Sequence, residues 1–417
     1  MTSLVSHYSA SLAGQAADRY PRIPFRIEPG EASVEVAIEF DGDQAGIDLG
    51  CEGPDGWRGW SGGARRTYVI SADKATPGYH PGPLEAGDWS VVLGLHRLPA
   101  EGVDVTVTVT KPAGSRPDPG PEGVVTHRPP KGSSRALPAP AGLTWYAGDF
   151  HAHSNHSDGS LSLSQLAALG IEGGLDFLAV TDHNTTSHHR LLPELGRDLG
   201  ITLVPGQEVT SHLGHANAFG DIGWVDFRTD GEQWIRTVAE RDGLLSVNHP
   251  VSGDCSWTHR TSARPPVVEL WHVTWYEELI ATSVLAWFQN GDRSAVLIGG
   301  SDFHSPAQPF RPGCPTTWVA ATDNTPEAIL DAVRAGRTAI SGSVVRSEGT
   351  ITPDLYGPVL LRNGAELVAV DGAGTILVDG AGNRSLVGDA FQTWPADPAE
   401  GPYRLVAPDR STLALCA

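Results

Sequence analysis

The sequence predicts a mixed α/β protein: a β-rich N-terminal domain, a central β/α barrel and a small β-rich tail. Three observations carry this. Apolar residues alternate with polar ones between 23 and 110, short apolar runs alternate with helical segments from 144 onward, and a stretch rich in proline separates the two.

Residues 1–110 read as a β-sandwich. Val34, Val36, Ile38 and Phe40 alternate with polar residues, as do Val103, Val105, Val107 and Val109. A period of two buries one face of a strand. The Pro29-Gly30, Gly62-Gly63, Pro77-Gly78 and Pro81-Gly82 pairs punctuate it with turns. Residues 111–143 form a linker, with eight prolines between 111 and 140. Such a composition builds no core and makes a semi-rigid spacer.

Residues 144–344 carry the alternating pattern. Apolar runs at 145–150, 177–181, 201–204, 216–219, 244–247, 267–271, 296–298 and 318–321 are interleaved with helical stretches near 162–170, 187–199, 231–241, 275–290 and 325–335. Ser162 and Gln165 have the spacing of a capping box. Strand–helix alternation builds a parallel sheet, and this many units in about 200 residues suits a closed, distorted barrel. Residues 345–417 return to β as an appendix, where Asp371-Gly-Ala-Gly and Asp379-Gly-Ala-Gly bracket a tight meander.

Composition narrows the partners. Lys and Arg total 29 against 49 Asp and Glu, a formal charge of -20. Such a surface repels nucleic acid and anionic membrane, so the expected partner is a small molecule. No segment has the length and apolarity of a membrane span, and Met1 to Arg22 has no secretory pattern. Cys51, Cys255, Cys314 and Cys416 form no C-x-x-C pair, which points to reduced thiols in a cytoplasmic protein. Oligomeric state is not readable from the chain.

Histidine placement carries the chemistry. Twelve of the sixteen histidines lie between 151 and 304. His151 and His153 follow the first apolar run, Asp158 sits in a Ser-Asp-Gly turn, and His183 and Glu208 end the next two runs. His215, His249, Asp302 and His304 follow in the same way. Ligands at the C-terminal ends of successive strands converge on one mouth. Imidazole and carboxylate without thiolate suit Zn, Mn or Fe, and nine donors imply two or three ions. Glu208 is the candidate bridging carboxylate, and Glu208 and Asp302 are the candidate catalytic carboxylates. Ions bridged in this way share a hydroxide and clamp a substrate oxyanion. His156, His188, His189 and His212 read as hydrogen-bonded surface histidines. For His259 and His272 the surface and functional readings stand level.

The segments Asp149-Phe-His-Ala-His-Ser, Ser157-Asp-Gly, Thr181-Asp-His, Gly206-Gln-Glu, His249-Pro and Gly300-Ser-Asp-Phe-His resemble, in order, the motifs of the polymerase-and-histidinol-phosphatase (PHP) superfamily over about 145–342. The resemblance implies a distorted (β/α)7 barrel with a two- or three-metal site. It implies one ion on His151, His153, Glu208 and Asp302, a second on Glu208, His215 and His249, and a third on Asp158, His183 and His304. The Gly59-Trp-Ser-Gly-Gly and Thr76-Pro-Gly-Tyr-His-Pro-Gly-Pro segments resemble the branch that includes carbaryl hydrolase, as does Gly336-Arg-Thr after a helix. The chain departs from that branch at His272, where a small amide residue is expected after Glu269-Leu-Trp.

These residues support hydrolysis of a phosphoester. Arg260, and after it Arg311, are the candidate phosphate cations, and His259 or His272 could donate a proton to the leaving group. Two further readings stay open. One is carbamate, amide or ester hydrolysis on the same ions, in a pocket built from Trp257, Trp271 and Trp275. The other is a metal-binding module without catalysis.

Overall fold

The computed structural model describes residues 1–417 except 42, 263, 274–281, 292, 398 and 399, and the side chain of 282. The chain divides into two compact units. One comprises 1–121 with the segments 154–162 and 182–190; the other comprises 122–153, 163–181 and 191–417.

The first unit is built on two antiparallel sheets of four strands. One runs Thr2–Ala10, Val103–Lys111, Ser33–Glu39, Thr67–Ser71 in spatial order. The other runs Arg22–Ile27, Gly87–Arg97, Gly46–Gly53, Gly56–Trp60. The alternating valines meet in one core with Ile47, Leu49, Trp89, Val91 and Leu93, so the period-two pattern marks the buried face. The strand Thr2–Ala10 lies within residues 1–110 but outside the alternating stretch 23–110. It is an edge strand whose Leu4 and Val5 are exposed, so it carries no apolar alternation.

The second unit is dominated by one continuous mixed sheet. Its order is Val296–Gly299, Val267–Trp271, Leu244–Val247, Gly214–Phe219, Thr202–Ser211, Phe177–Val180, Thr144–Asp149, Thr316–Ala321, Thr338–Ser341, and then four C-terminal strands. Helices Leu163–Glu172, Leu192–Leu199, Gly231–Glu240, Thr282–Gln289 and Pro326–Arg334 connect the strands. The expected helix over 275–290 is described only from Thr282, and Trp275 lies outside the described residues. Ser162, immediately before the helix Leu163–Glu172, donates its hydroxyl to the Pro121 carbonyl at 2.6 Å.

The strand order departs from a uniform β/α repeat. Thr144–Asp149, Phe177–Val180 and Thr202–Ser211 are parallel, and so are Leu244–Val247, Val267–Trp271 and Val296–Gly299. Gly214–Phe219 is antiparallel to both its neighbours. Only residues 212 and 213 separate it from the preceding strand, so a hairpin forms where a crossover helix would need a dozen residues or more. The Thr317 hydroxyl donates to the Gly299 carbonyl at 2.8 Å and the Thr338 hydroxyl to the Leu297 carbonyl at 2.8 Å, joining the first strand of the order to the eighth and ninth.

The proline-rich stretch is bonded along its length. Ala113 N–H donates to Ser33 Oγ in the first unit. In the second, Thr126 bonds Glu172, Arg128 bonds the Leu199 carbonyl and Ser133 bonds Asp176. Residues 345–417 are β-rich and continue the main sheet. Thr412–Cys416 pairs with Thr338–Ser341, and Tyr403–Val406 and Ile376–Val378 extend the main sheet beyond it. The Asp379-Gly turn does close a hairpin between Ile376–Val378 and Arg384–Leu386. No helix among the described residues is long and apolar enough to cross a membrane. The four cysteines are unbridged.

Candidate metal centre

Strands of the second unit carry the candidate ligands within them or just after their ends. His151 and His153 follow Thr144–Asp149, Glu208 lies in Thr202–Ser211, His215 in Gly214–Phe219, and His249 follows Leu244–Val247. Asp302 follows Val296–Gly299. His151, His153, Glu208 and Asp302 present ligand atoms that all lie within 4.8 Å of one another. His151 Nε2 is 3.4 Å from Glu208 Oε1 and 3.2 Å from Asp302 Oδ1. His153 Nε2 is 3.1 Å from Asp302 Oδ1 and 3.5 Å from Glu208 Oε2. Glu208 Oε1 also faces His215 Nδ1 at 3.2 Å and His249 Nε2 at 3.3 Å, and accepts from the Asn248 amide at 2.8 Å.

Two carboxylates facing four imidazoles, with Asp302 and His215 partly exposed and the rest buried, suit divalent ions chemically. Without a cation, protons must fill that role. Burial alone would depress the His151 imidazole, but Glu269, Asp302 and Glu208 hold its pKa well above the ordinary value. Burial pushes Asp302 up, yet the surrounding imidazoles of His151, His153, His272 and His304 hold it well below the carboxylate range.

The support behind these ligands is equally ordered. Glu269 Oε1 lies 2.9 Å from His151 Nδ1, and Glu269 Oε2 accepts from the His249 N–H at 2.9 Å. A carboxylate on Nδ1 fixes the ring so that Nε2 keeps its lone pair for a cation. Asp149 accepts from the N–H groups of His151 and Ser301 at 3.0 Å each and of Gly313 at 2.6 Å, stapling three segments together. A Cβ on Gly300 would run into Glu269 and His151, so glycine permits this close approach. His249 and Asp302 have φ of 25° and 50°. Positive φ at a residue with a Cβ costs roughly 1–3 kcal/mol and gathers where function requires it.

Other expected residues fall into place variously. His304 stacks on His153 with ring centroids 4.1 Å apart, and its Nδ1 lies 2.8 Å from the Asp302 carbonyl. His272 Nε2 is 3.2 Å from Asp302 Oδ2, and its ring lies 4.9 Å from that of His249. Asp158 and His183 lie in the first unit, Oδ1 and Nε2 3.7 Å apart. His259 is structural: Gly231 N–H donates to its Nδ1 at 3.1 Å and Nε2 lies 3.1 Å from Ser211 Oγ, so both ring nitrogens are engaged. Burial brings it down to about 4. Arg260 is exposed, with no contact to the cluster among the described residues. Arg311 donates to the Gln308 and Phe310 carbonyls and lines a separate cavity of about 560 Å³ with His127, Arg346 and Tyr356. Of the histidines expected at the surface, His212 is exposed, but His156, His188 and His189 are buried.

Glu269 and Asp149, whose carboxylates bond the cluster's residues, were not among the expected site residues. A lone carboxylate inside the apolar run Val267–Trp271 was the available signal for Glu269.

No family model matches the chain. Over 64 residues it is 39% identical to phosphoribosyl 1,2-cyclic phosphate 1,2-diphosphodiesterase of Eggerthella lenta, which is 15% of this chain and 24% of that protein. The chain thus spans about a quarter of the length of this curated relative. Among solved structures it is similar to a two-domain protein of Bacteroides vulgatus containing a predicted PHP-like metal-dependent phosphoesterase. That similarity has a TM-score of 0.42 and 20% identity over 70% of this chain and all of the other. It is also similar to an amidohydrolase of Chromobacterium violaceum, with a TM-score of 0.29 and 15% identity over 38% of this chain and 87% of the other.

Proposed function

We propose that the chain is a metal-dependent phosphoesterase of the PHP type acting on a small molecule. The observation that carries the proposal is the cluster of buried His151, His153 and Glu208 with partly exposed Asp302, whose His151 ring meets Glu269 from behind. These four would hold one divalent ion, and Glu208 with His215 and His249 a second. Asp158 and His183 are assigned to a further ion, for two to three of Zn, Mn or Fe in all. Bound divalent ions lower the pKa of water toward neutrality and offset negative charge on phosphoryl oxygens.

The chain's own residues prepare that chemistry. Glu269 holds the proton of His151 on Nδ1, and Glu208 presents one oxygen to three imidazoles and the other to His153. Asp302 turns Oδ1 to His151 and His153 while His272 occupies Oδ2. Burial removes competing water, so each charge acts at low effective dielectric. With Arg260 exposed and Arg311 bonded elsewhere, charge compensation for a phosphoryl group falls on the ions. The local likeness to a phosphodiesterase supports this choice of substrate class.

A second reading is carbamate, amide or ester hydrolysis on the same ligands, supported by the likeness of the Gly59 and Thr76 loops to the carbaryl hydrolase branch. Its tryptophan pocket has less support. Trp271 is buried in a core cluster, and Trp257 packs against Trp234 and His259. Turnover of a chromogenic phosphoester and a chromogenic carbamate, with Mn²⁺ or Zn²⁺ and then with chelator, separates the readings. Metal-dependent phosphoester turnover is expected. Preference for the carbamate would transfer the assignment to the second reading, and turnover of neither would leave a metal-binding module.

A further inference from the structure

The metal-site reading gives the second unit its task and leaves the β-sandwich without one. The first unit also contains 154–162 and 182–190, the segments that carry Asp158 and His183. Residues 154–162 contain no helix or strand, so their position must come from bonds made outside themselves.

The sandwich loops supply those bonds. Arg65, just after the Gly62–Ala64 turn, donates Nη1 to the Ser157 carbonyl at 3.3 Å and Nη2 to the Asn155 carbonyl. Gly78 N–H points at His156 Nδ1 (3.3 Å) and Ser187 Oγ (3.2 Å), and its carbonyl accepts from the Thr185 hydroxyl at 2.7 Å. Asp182 then ties one segment to the other. It accepts from the Ser154 and Ser157 N–H groups at 2.9 and 3.0 Å, and from both their hydroxyls at 2.7 Å. At Gly78 φ is 100°, and an added Cβ would sit 2.6 Å from the Trp60 carbonyl oxygen and 2.8 Å from that of His156. No other residue fits this junction.

We propose that the β-sandwich serves to hold two ion-binding side chains, Asp158 and His183, in ligating position, with Arg65 as the latch. Arg65 is a positioning residue. Its guanidinium binds the carbonyl of the residue before Asp158 and brings a positive charge to a neighbourhood that also holds Asp182. The inference rests on the metal-dependent reading.

The test uses the full chain, as wild type, Arg65→Met, Arg65→Lys and Gly78→Ala. Mn²⁺ stoichiometry and affinity are measured by equilibrium dialysis with elemental analysis, and Tm is recorded beside them. Expected for Arg65→Met is selective loss of one ion per chain, or weakening of one class of site by roughly 10–100-fold as for other residues that orient ligands. The remaining ions and the Tm should be retained. Arg65→Lys should recover part of the loss, because an ammonium can serve one carbonyl but lacks the fork that spans two. Gly78→Ala should weaken the same class of site. Wild-type occupancy and affinity in both Arg65→Met and Gly78→Ala would overturn the proposal. So would uniform loss of every ion with a fall in Tm, since Arg65 would then serve general stability. A wild-type chain that binds no Mn²⁺ would instead remove the metal-dependent reading itself.

Discussion

Substituting Glu269 by Gln probes the support of the metal centre with almost no change of shape. The carboxylate has two duties: one oxygen faces His151 Nδ1 at 2.9 Å, and the other accepts from the His249 N–H at 2.9 Å. Glutamine can perform only one of them. If its oxygen stays with His249, its NH₂ must donate to His151 Nδ1, which drives the ring proton to Nε2. That nitrogen faces Glu208 and Asp302, and once protonated it cannot ligate. If the amide turns over, two buried donors face each other at His249, at a cost of about 1–3 kcal/mol. Either way the site loses affinity, by roughly 10–100-fold as for other carboxylates behind metal-binding histidines. This equals about 1.4–2.7 kcal/mol per chain. Competition for Mn²⁺ against a fluorescent chelator measures it, with circular dichroism as the check on folding. Affinity within twofold of wild type would show that Glu269 does not set the His151 tautomer, and the orientation argument would be wrong.

Three further expectations follow from the same geometry. Glu208→Gln should lose bound metal and turnover together, because Glu208 Oε1 faces three imidazoles and Oε2 a fourth; near wild-type turnover would place Glu208 outside the ligand set. His272→Ala should weaken metal binding about tenfold by releasing Asp302 Oδ2, and unchanged affinity in the chelator assay would mean that His151 and His153 alone orient Asp302. His259 is held neutral, with its pKa lowered by burial to about 4, whereas the unfolded chain takes up that proton near 6.5. Its contribution to stability is therefore complete above pH 6.5 and declines as pH falls toward 4, by an amount discounted for solvent screening to about 1–2 kcal/mol. Urea unfolding at pH 7 and pH 5 should show a smaller drop for His259→Gln than for wild type, and equal drops would refute the assignment.

Much of the His, Asp and Glu cluster was legible because its logic is local. His151, His153, His183, His249 and Asp302 follow apolar strands, and a strand end fixes where the next side chain is presented, whereas Glu208 and His215 lie within strands. The supporting residues were harder to read. Asp149 and Glu269 are carboxylates among apolar neighbours, and only the tertiary fold shows that they face backbone N–H groups and a histidine nitrogen. His259 and Arg260 adjoin in sequence yet differ entirely: one is a buried post beneath the Gly231–Glu240 helix, the other an exposed cation. Non-local pairing hid the rest. The strand Thr412–Cys416 joins the main sheet beside a strand more than 70 residues away in the chain, which no periodicity encodes. The segments 154–162 and 182–190 belong with the sandwich for the same reason, through bonds from loops about 80 to 110 residues earlier in the chain.

The most direct test of the central claim is elemental analysis of the protein purified without chelator. The arrangement of His151, His153, Glu208, His215, His249 and Asp302, with Asp158 and His183, predicts two to three transition-metal ions per chain, lost on dialysis against a strong chelator and regained with Mn²⁺ or Zn²⁺. Fewer than one ion per chain, with no uptake on re-addition, would contradict the account.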